Sequence, residues 1–241
     1  MDGQFSLFDL QAPPIPLQRP LKVLVACEES QEVCKAFRAK GHEAYSCDIQ
    51  ECSGGHPEWH IQGDVIPLIN GDCTFRTADT HTHTQAGPWD ILIAHPPCTH
   101  LTSSGQWAYS KGKDPGLRTE AIHFFMEFFN ARCSQVAIEN PIGIMSTICR
   151  KPNQIISPWM FGDPAEKRTC LWLKGLPNLV PTFTKKPPLE YFEWIDSKTG
   201  QKKRMEMWMY RIRCISDRKR RAKEASKTFP GIAKAMAEQW G

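Results

Sequence analysis

Short apolar runs alternate with amphipathic stretches through most of the chain, and the alternation predicts a repeated strand–helix order. Residues 21–26 form an apolar run of strand length. Residues 30–40 follow with Val33, Ala36 and Phe37 at helical spacing, and Gly41 stops the turn. Residues 43–47 read as the next strand, closing at Asp48, and residues 59–62 as a short third one before Gly63-Asp64-Val65. Residues 74–89 read as an excursion with hairpin character, and residues 89–94 as a hydrophobic fourth strand. A long helix is predicted over 117–132, with Ala121, Phe124, Phe125 and Phe128 on its inner side. Strands at 134–138, 155–161 and 170–173 complete the core, and Pro230-Gly231 opens a last helix with Ile232, Ala235 and Met236 inward. Continuously apolar strands separated by helices are buried on both faces, which predicts an α/β class with a doubly wound, mostly parallel sheet.

The strand ends carry the chemistry. Residues 89–94 run into His95-Pro96-Pro97-Cys98, where the two prolines fix φ and bias the residues before them towards extended backbone. The strand therefore ends in a stiff turn that presents Cys98. Residues 134–138 end in Glu139-Asn140-Pro141. In a parallel sheet both turns lie at the carboxyl edge, where such folds bind ligands. A thiol and an acid facing one crevice suit nucleophilic attack on an electron-poor ring, helped by an acid that protonates it. Packing in a core is the ordinary fate of a free thiol, and the other nine cysteines read that way.

Pro96-Pro97-Cys98 followed by Glu139-Asn140 resembles the catalytic pair of the cytosine-C5 DNA methyltransferases. Ser104, Gly105, Asp114-Pro115-Gly116 and the helix start at 117–125 are similar to that family's mobile catalytic loop and the helix after it. The likeness is to short phage- and prophage-type members and spans residues 21–175 plus the last dozen. It implies a Rossmann-like class I methyltransferase with a small C-terminal recognition insertion, S-adenosyl-L-methionine as cofactor, and DNA as partner. It further implies that Cys98 adds to C6 of cytosine and that Glu139 supplies a proton or hydrogen bond at N3. Asn140 would orient Glu139 and the 96–98 turn. A base in a duplex would have to leave the helix to reach them. Phe161-Gly162-Asp163-Pro164, Lys167-Arg168 and Leu171-Trp172-Leu173 resemble the family's arginine-bearing motif. Arg168 stands at its first arginine and Cys170 at its second, with Lys167 and Arg168 as alternative substitutes. On the cofactor side the likeness assigns Glu28 to the methionine ammonium, Asp48 to the ribose hydroxyls and Asp64 to the adenine end. Pro96 joins this set, and Ser30 is expected to cap the first helix. The first turn, Cys27-Glu28-Glu29-Ser30-Gln31, lacks the family's glycines. Residues 226–237 resemble the C-terminal cofactor motif and closing helix.

Composition refines the outline. A chain of 241 residues suits one core with a small appendage, divided here into 1–20, 21–175, 176–225 and 226–241. The net charge is only +4, but residues 198–223 hold eleven Lys or Arg against Glu206 and Asp217. Beside such a core that run reads as a phosphate-contacting face, with Lys202, Lys203, Arg204, Arg211 and Arg213 as contacts. Tyr191-Phe192-Glu193-Trp194-Ile195, a Ser197–Gly200 turn and Met207-Trp208-Met209-Tyr210 suggest an aromatic hairpin. Roughly fifty residues are available there, fewer than a full target-recognition domain uses, so specificity is expected to be short or relaxed. Ten cysteines without a CxxC pair or secretory signal indicate a reduced, cytoplasmic setting in a bacterial host, and no apolar run is long enough to cross a bilayer. A monomer is expected. Cys47, Cys52, His56 and His60 have spacings that can hold zinc, but Cys47 closes a strand beside Asp48, so no metal is expected. A zinc deaminase would need cysteine at 101, where Leu101 stands.

The Pro-rich residues 1–20 form a stiff lead-in. Within it, Gln4-Phe5-Ser6-Leu7-Phe8 resembles the peptide by which bacterial DNA enzymes dock into the sliding clamp. Gln4 would bond the pocket rim, and Leu7 and Phe8 would anchor it; the alternative is that these side chains fold back on the domain. Two other functions remain open from sequence. One is the same chemistry on a free nucleotide, single-stranded DNA or RNA; the other is a catalytically silent DNA- or clamp-binding relative.

Overall fold

A computed structural model describes residues 19–103, 109, 111–112 and 114–241. The peptide containing Gln4, Leu7 and Phe8, and the loop residues Ser104 and Gly105, lie outside them. A seven-stranded sheet organises the core in the order β3-β2-β1-β6-β7-β9-β8. Its strands are β1 (Lys22–Ala26), β2 (Glu43–Asp48), β3 (His60–Gln62), β6 (Ile91–Ala94), β7 (Val136–Pro141), β8 (Gln154–Ile156) and β9 (Thr169–Lys174). β9 runs antiparallel to both of its neighbours, β7 and β8, while the pairs from β3 to β7 are parallel. The expected doubly wound, mostly parallel, Rossmann-like sheet is thus what the chain forms. The order reverses between β1 and β6, which opens a crevice at their carboxyl ends.

Alternation along the strands builds a core on each face, because successive side chains point to opposite sides. Leu24, Ala26, Leu92, Ala94, Val136, Ile138, Cys170 and Trp172 pack with Phe125 and Phe128 of α2 (Gly116–Asn130). Val23, Val25, Ile91, Ile93, Ala137, Leu171 and Leu173 pack instead with Phe37 of α1 (Glu32–Ala39) and Met236 of α6 (Pro230–Trp240). Trp89 and Trp172 are buried, with their indole N–H groups donating to the carbonyls of Leu68 and Arg150 at 2.7 and 2.8 Å. A large aromatic therefore enters the core without an orphaned donor.

The excursion before the fourth strand is a hairpin, β4 (Cys73–Arg76) and β5 (Thr82–Gln85). Two expectations need correction. The strand read over 155–161 stops at Ile156, because Pro158 has no amide to donate and begins a single 3-10 turn through Phe161. The aromatic hairpin pairs β10 (Tyr191–Ile195) with the basic β11 (Lys202–Glu206); the second aromatic stretch lies in helix α4 (Met207–Arg213). There Phe192 stacks on Tyr210 with ring centroids 3.8 Å apart, which attaches the helix to the hairpin. The cation-rich α5 (Arg218–Ser226) follows, capped by Asp217 accepting the Arg220 amide at 2.8 Å.

Candidate active site

Parallel pairing of β6 with β7 sets Ala94 beside Ile138, so the two chemistry-bearing turns leave the sheet side by side. Asn140 is 1% exposed, and its side-chain N–H donates to the Pro96 carbonyl at 2.8 Å, which locks the proline turn to β7. A short antiparallel bridge farther out, Thr102 to Gly143, with the Ile144 amide donating to Leu101 at 2.9 Å, ties the continuing loops together. Cys98 sits half-buried between these seams. Burial pushes its thiol above the ordinary cysteine value, and the Glu139 charge adds to that, while Lys167 pulls it down.

Glu139 shares its face of the sheet with Ala137, and His95 shares that face with Ile91 and Ile93. The His95 ring nitrogen Nδ1 lies 3.1 Å from Glu139 Oε2, with both side chains mostly buried. Burial pushes the Glu139 carboxyl up. The hydrogen bond and charge of His95, then Lys167 and the Thr169 hydroxyl, outweigh it and hold Glu139 below the usual carboxylate range. Arg168 is exposed and is not among the groups acting on Glu139 or Cys98; the neighbouring cation that acts on both is Lys167. Lys167 is itself held by the Ala225 carbonyl of α5 at 3.0 Å. Sequence reading left Lys167 and Arg168 as alternatives and did not single out His95 or Thr169. The alternation signal was available, since odd positions in β6, β7 and β9 share one face.

On the other side of the crevice a cavity of about 530 Å³ is lined by Asp48, Ile49, Asp64, Pro97, Ala121 and Phe124, among others. Its volume is in the range of small-molecule sites. Asp48 Oδ1 accepts the Gln50 amide at 2.9 Å and Asp64 Oδ1 accepts the Ile66 amide at 3.0 Å, so both carboxylates are held in place by their own turns. Ile49 is 77% exposed, an apolar side chain beside the opening. Pro97 also lines the cavity, one residue from Cys98, whereas Pro96 is buried with its carbonyl on Asn140.

The glycine-free first turn forms all the same. Cys27 takes φ 59°, the left-handed conformation glycine would otherwise supply. Gln31 takes φ 60°; its side chain, fully buried, grips both the amide and the carbonyl of His56 at 3.1 and 2.9 Å. Glu28 has a structural partner that the sequence did not announce. It is 3% exposed, and its two oxygens accept the Val33 and Cys34 amides at 2.6 and 3.1 Å, capping α1. Ser30 is buried too and makes no cap, because Glu28 has taken the open amides and Gln31 occupies the cap position.

The basic segment divides in two. Lys202 pairs with Glu193 at 2.6 Å, Lys203 pairs with Asp196, and the Arg204 guanidinium lies 4.6 Å from the Tyr191 ring centroid, all within the hairpin. Arg211, Arg213, Arg218 and Lys219 are exposed with no ion pair among the described residues. A second hollow, about 570 Å³ between Lys35, Arg38, His42, His56 and Trp59, shares no residue with the first, and Arg38 Nε there already donates to Ala44 at 2.7 Å. No group of three or more His, Cys, Asp or Glu among the described residues is placed to hold a metal ion. Among the described residues no helix is long and apolar enough to cross a membrane.

No protein-family model and no curated protein matches the chain. Among solved structures it is similar to the Entamoeba histolytica methyltransferase EhMeth, at 13% identity and TM-score 0.40, covering 72% of this chain and 59% of that one. It is also similar to a protein described as a DNA modification methyltransferase encoded within an E. coli prophage, at 16% identity and TM-score 0.40, covering 69% and 52%. The chain thus spans little more than half the length of either structure. The sheet is doubly wound and mostly parallel, with one strand, β9, antiparallel to both of its neighbours.

Proposed function

We propose that the protein transfers a methyl group from S-adenosyl-L-methionine to C5 of cytosine in DNA. The observation that carries this reading is the joint placement of Cys98 and Glu139. They stand at neighbouring strand ends, locked together by the Asn140–Pro96 bond, beside the cavity that contains Asp48 and Asp64. The residues lining that cavity fit the cofactor. A pair of carboxylates suits vicinal hydroxyls and a cationic ligand, and Ile49, Ala121 and Phe124 suit a flat apolar ring. When bound, the cofactor supplies an electrophilic methyl group on a sulfonium.

The chain's own residues do the rest. Cys98, as thiolate, adds to C6 of the flipped-out base. Glu139 holds a proton against N3, which makes the adduct accessible by neutralising charge that would otherwise develop on the ring. Asn140 keeps the two turns in register, and Lys167 favours the ionised thiol. Loss of the C5 proton and departure of Cys98 restore the enzyme. With Lys202, Lys203 and Arg204 engaged inside the hairpin, the exposed cations of α4 and α5 are the better phosphate contacts.

The test uses the purified protein, duplex DNA and cofactor, read by bisulfite sequencing, together with a 5-fluorocytosine oligonucleotide. Methylated cytosine and a covalent adduct on the Cys98 peptide are expected, and Cys98→Ser should abolish both. Retained methylation in Cys98→Ser, or cofactor binding with no adduct on Cys98, would overturn the assignment.

A further inference from the structure

We infer that His95 is the positioning residue that loads Glu139 with the proton it delivers to the base, a step that rests on the reading above. Glu139 in the free protein is held below the ordinary carboxylate range, yet a carboxylate without a proton cannot protonate N3. A proton source must therefore sit within reach of its buried side. Among the described residues His95 is the ionisable group hydrogen-bonded to Glu139, through Nδ1 at 3.1 Å. Its other nitrogen, Nε2, is buried with no partner among the described residues, so the ring is not committed to a competing bond. Three further charged or ionisable groups face the pair. Glu28, on the turn before α1, acts electrostatically on the ring. Lys167, ahead of β9, acts on Glu139, and Cys98 lies on the outer side.

The transfer balances. The Nδ1–H bond of the imidazolium breaks as an O–H bond forms on Glu139, and that acid gives its proton to N3 while the Cys98 thiolate adds at C6. After the C5 proton leaves to solvent and Cys98 departs, N3 returns the proton through Glu139 to His95. Neither residue is consumed, and while Glu139 carries the proton the neutral ring accepts from it at Nδ1. His95 touches no part of the base itself.

The experiment measures single-turnover methylation of duplex DNA against pH for the unsubstituted protein, His95→Asn, His95→Gln and His95→Ala, with melting curves and cofactor titrations alongside. The expected result is a rate loss of about 10²-fold with cofactor affinity unchanged. The bell-shaped wild-type profile should become a single rising limb that reports Cys98 alone, and imidazole in the buffer should restore rate to His95→Ala. A bell that persists in folded His95→Asn and His95→Gln, or a wild-type rate in either, overturns the relay while leaving the methyltransferase reading intact. If one substitution fails to melt cooperatively, the other carries the same comparison, and imidazole rescue reads the ring's chemistry independently. Absence of C5 methylation by the wild-type protein would sink the underlying reading instead, and the relay with it.

Discussion

At the scale of single residues, electrostatics separates groups that the sequence treats alike. Lys167 and Arg168 are adjacent cations, but Lys167 acts on both Cys98 and Glu139, and Arg168 faces solvent. Lys167→Met should therefore slow alkylation of Cys98 by iodoacetamide at a given pH and shift its pH dependence upward, whereas Arg168→Met should leave it near wild type. Mass spectrometry of the Cys98 peptide reads both, and equal effects would remove Lys167 from the site. Glu28 gives a second residue-scale prediction. Glu28→Ala leaves two buried helix amides without acceptors, a loss of about 2–4 kcal/mol. Glu28→Gln keeps one acceptor and should lose less. Burial raises the Glu28 carboxyl, outweighing the His95 charge and the helix amides. The folded state then holds a proton the unfolded state has released, so wild-type stability falls as pH rises from the ordinary carboxylate value through the folded one. The gap between wild type and Glu28→Gln should narrow across that window in urea titrations, and a widening gap would contradict the cap assignment.

At the scale of elements, the two turns work only if their loops stay sewn together, and Gly143 is the stitch. A Cβ at Gly143 would lie 2.0 Å from the Leu101 carbonyl oxygen, backbone that cannot swing aside. Gly143→Ala must part the Leu101–Gly143 seam, with strain of about 1–3 kcal/mol. Methylation should fall far more than the melting temperature, because the seam sets where Cys98 points and the sheet beneath it is independent of it. An active Gly143→Ala protein would show that the seam does not position the thiol. This seam also marks where sequence reading reached its limit. The strands, the crevice at the β1/β6 switch and the Cys98–Glu139 pair were legible, since apolar runs of fixed length and Pro-Pro turns are local signals. The Glu28 cap was not legible because capping depends on where α1 begins, and β8 was read too long because the apolar run from Ile155 continues past Pro158 into a 3-10 turn. The aromatic stretch at 207–210 gave no local sign that it would coil instead of pairing. Its role is decided by Phe192 stacking on Tyr210, a tertiary contact. His95 escaped notice because its partner, Glu139, is forty-four positions away and meets it only through strand register.

For the whole molecule, α5 joins the basic face to the chemistry. Its inward side is fastened twice: Lys223 pairs with the buried Glu29 at 2.9 Å on the first turn, and the Ala225 carbonyl holds Lys167. Its outward side presents Arg218, Lys219 and Arg220, and Arg211 and Arg213 of α4 are exposed as well. A helix attached to both the first turn, at Glu29, and Lys167 leaves its outward charges exposed to solvent. DNA held there would lie against the element that also supports the Cys98 side of the crevice. Each phosphate neutralised releases condensed counterion, so affinity should fall steeply with salt. Arg218→Glu with Lys219→Glu should weaken duplex binding at low salt and flatten the slope of log affinity against log salt by about two. Cofactor affinity and melting temperature should hold, because neither side chain has an ion pair to lose among the described residues. Lys202→Glu with Lys203→Glu should flatten the slope less, since both lysines already face carboxylates in the hairpin. The informative comparison is between the two double variants in one fluorescence-anisotropy salt series. A hairpin variant that loses more slope than the α5 variant would move the phosphate path from the helices to the β10–β11 turn.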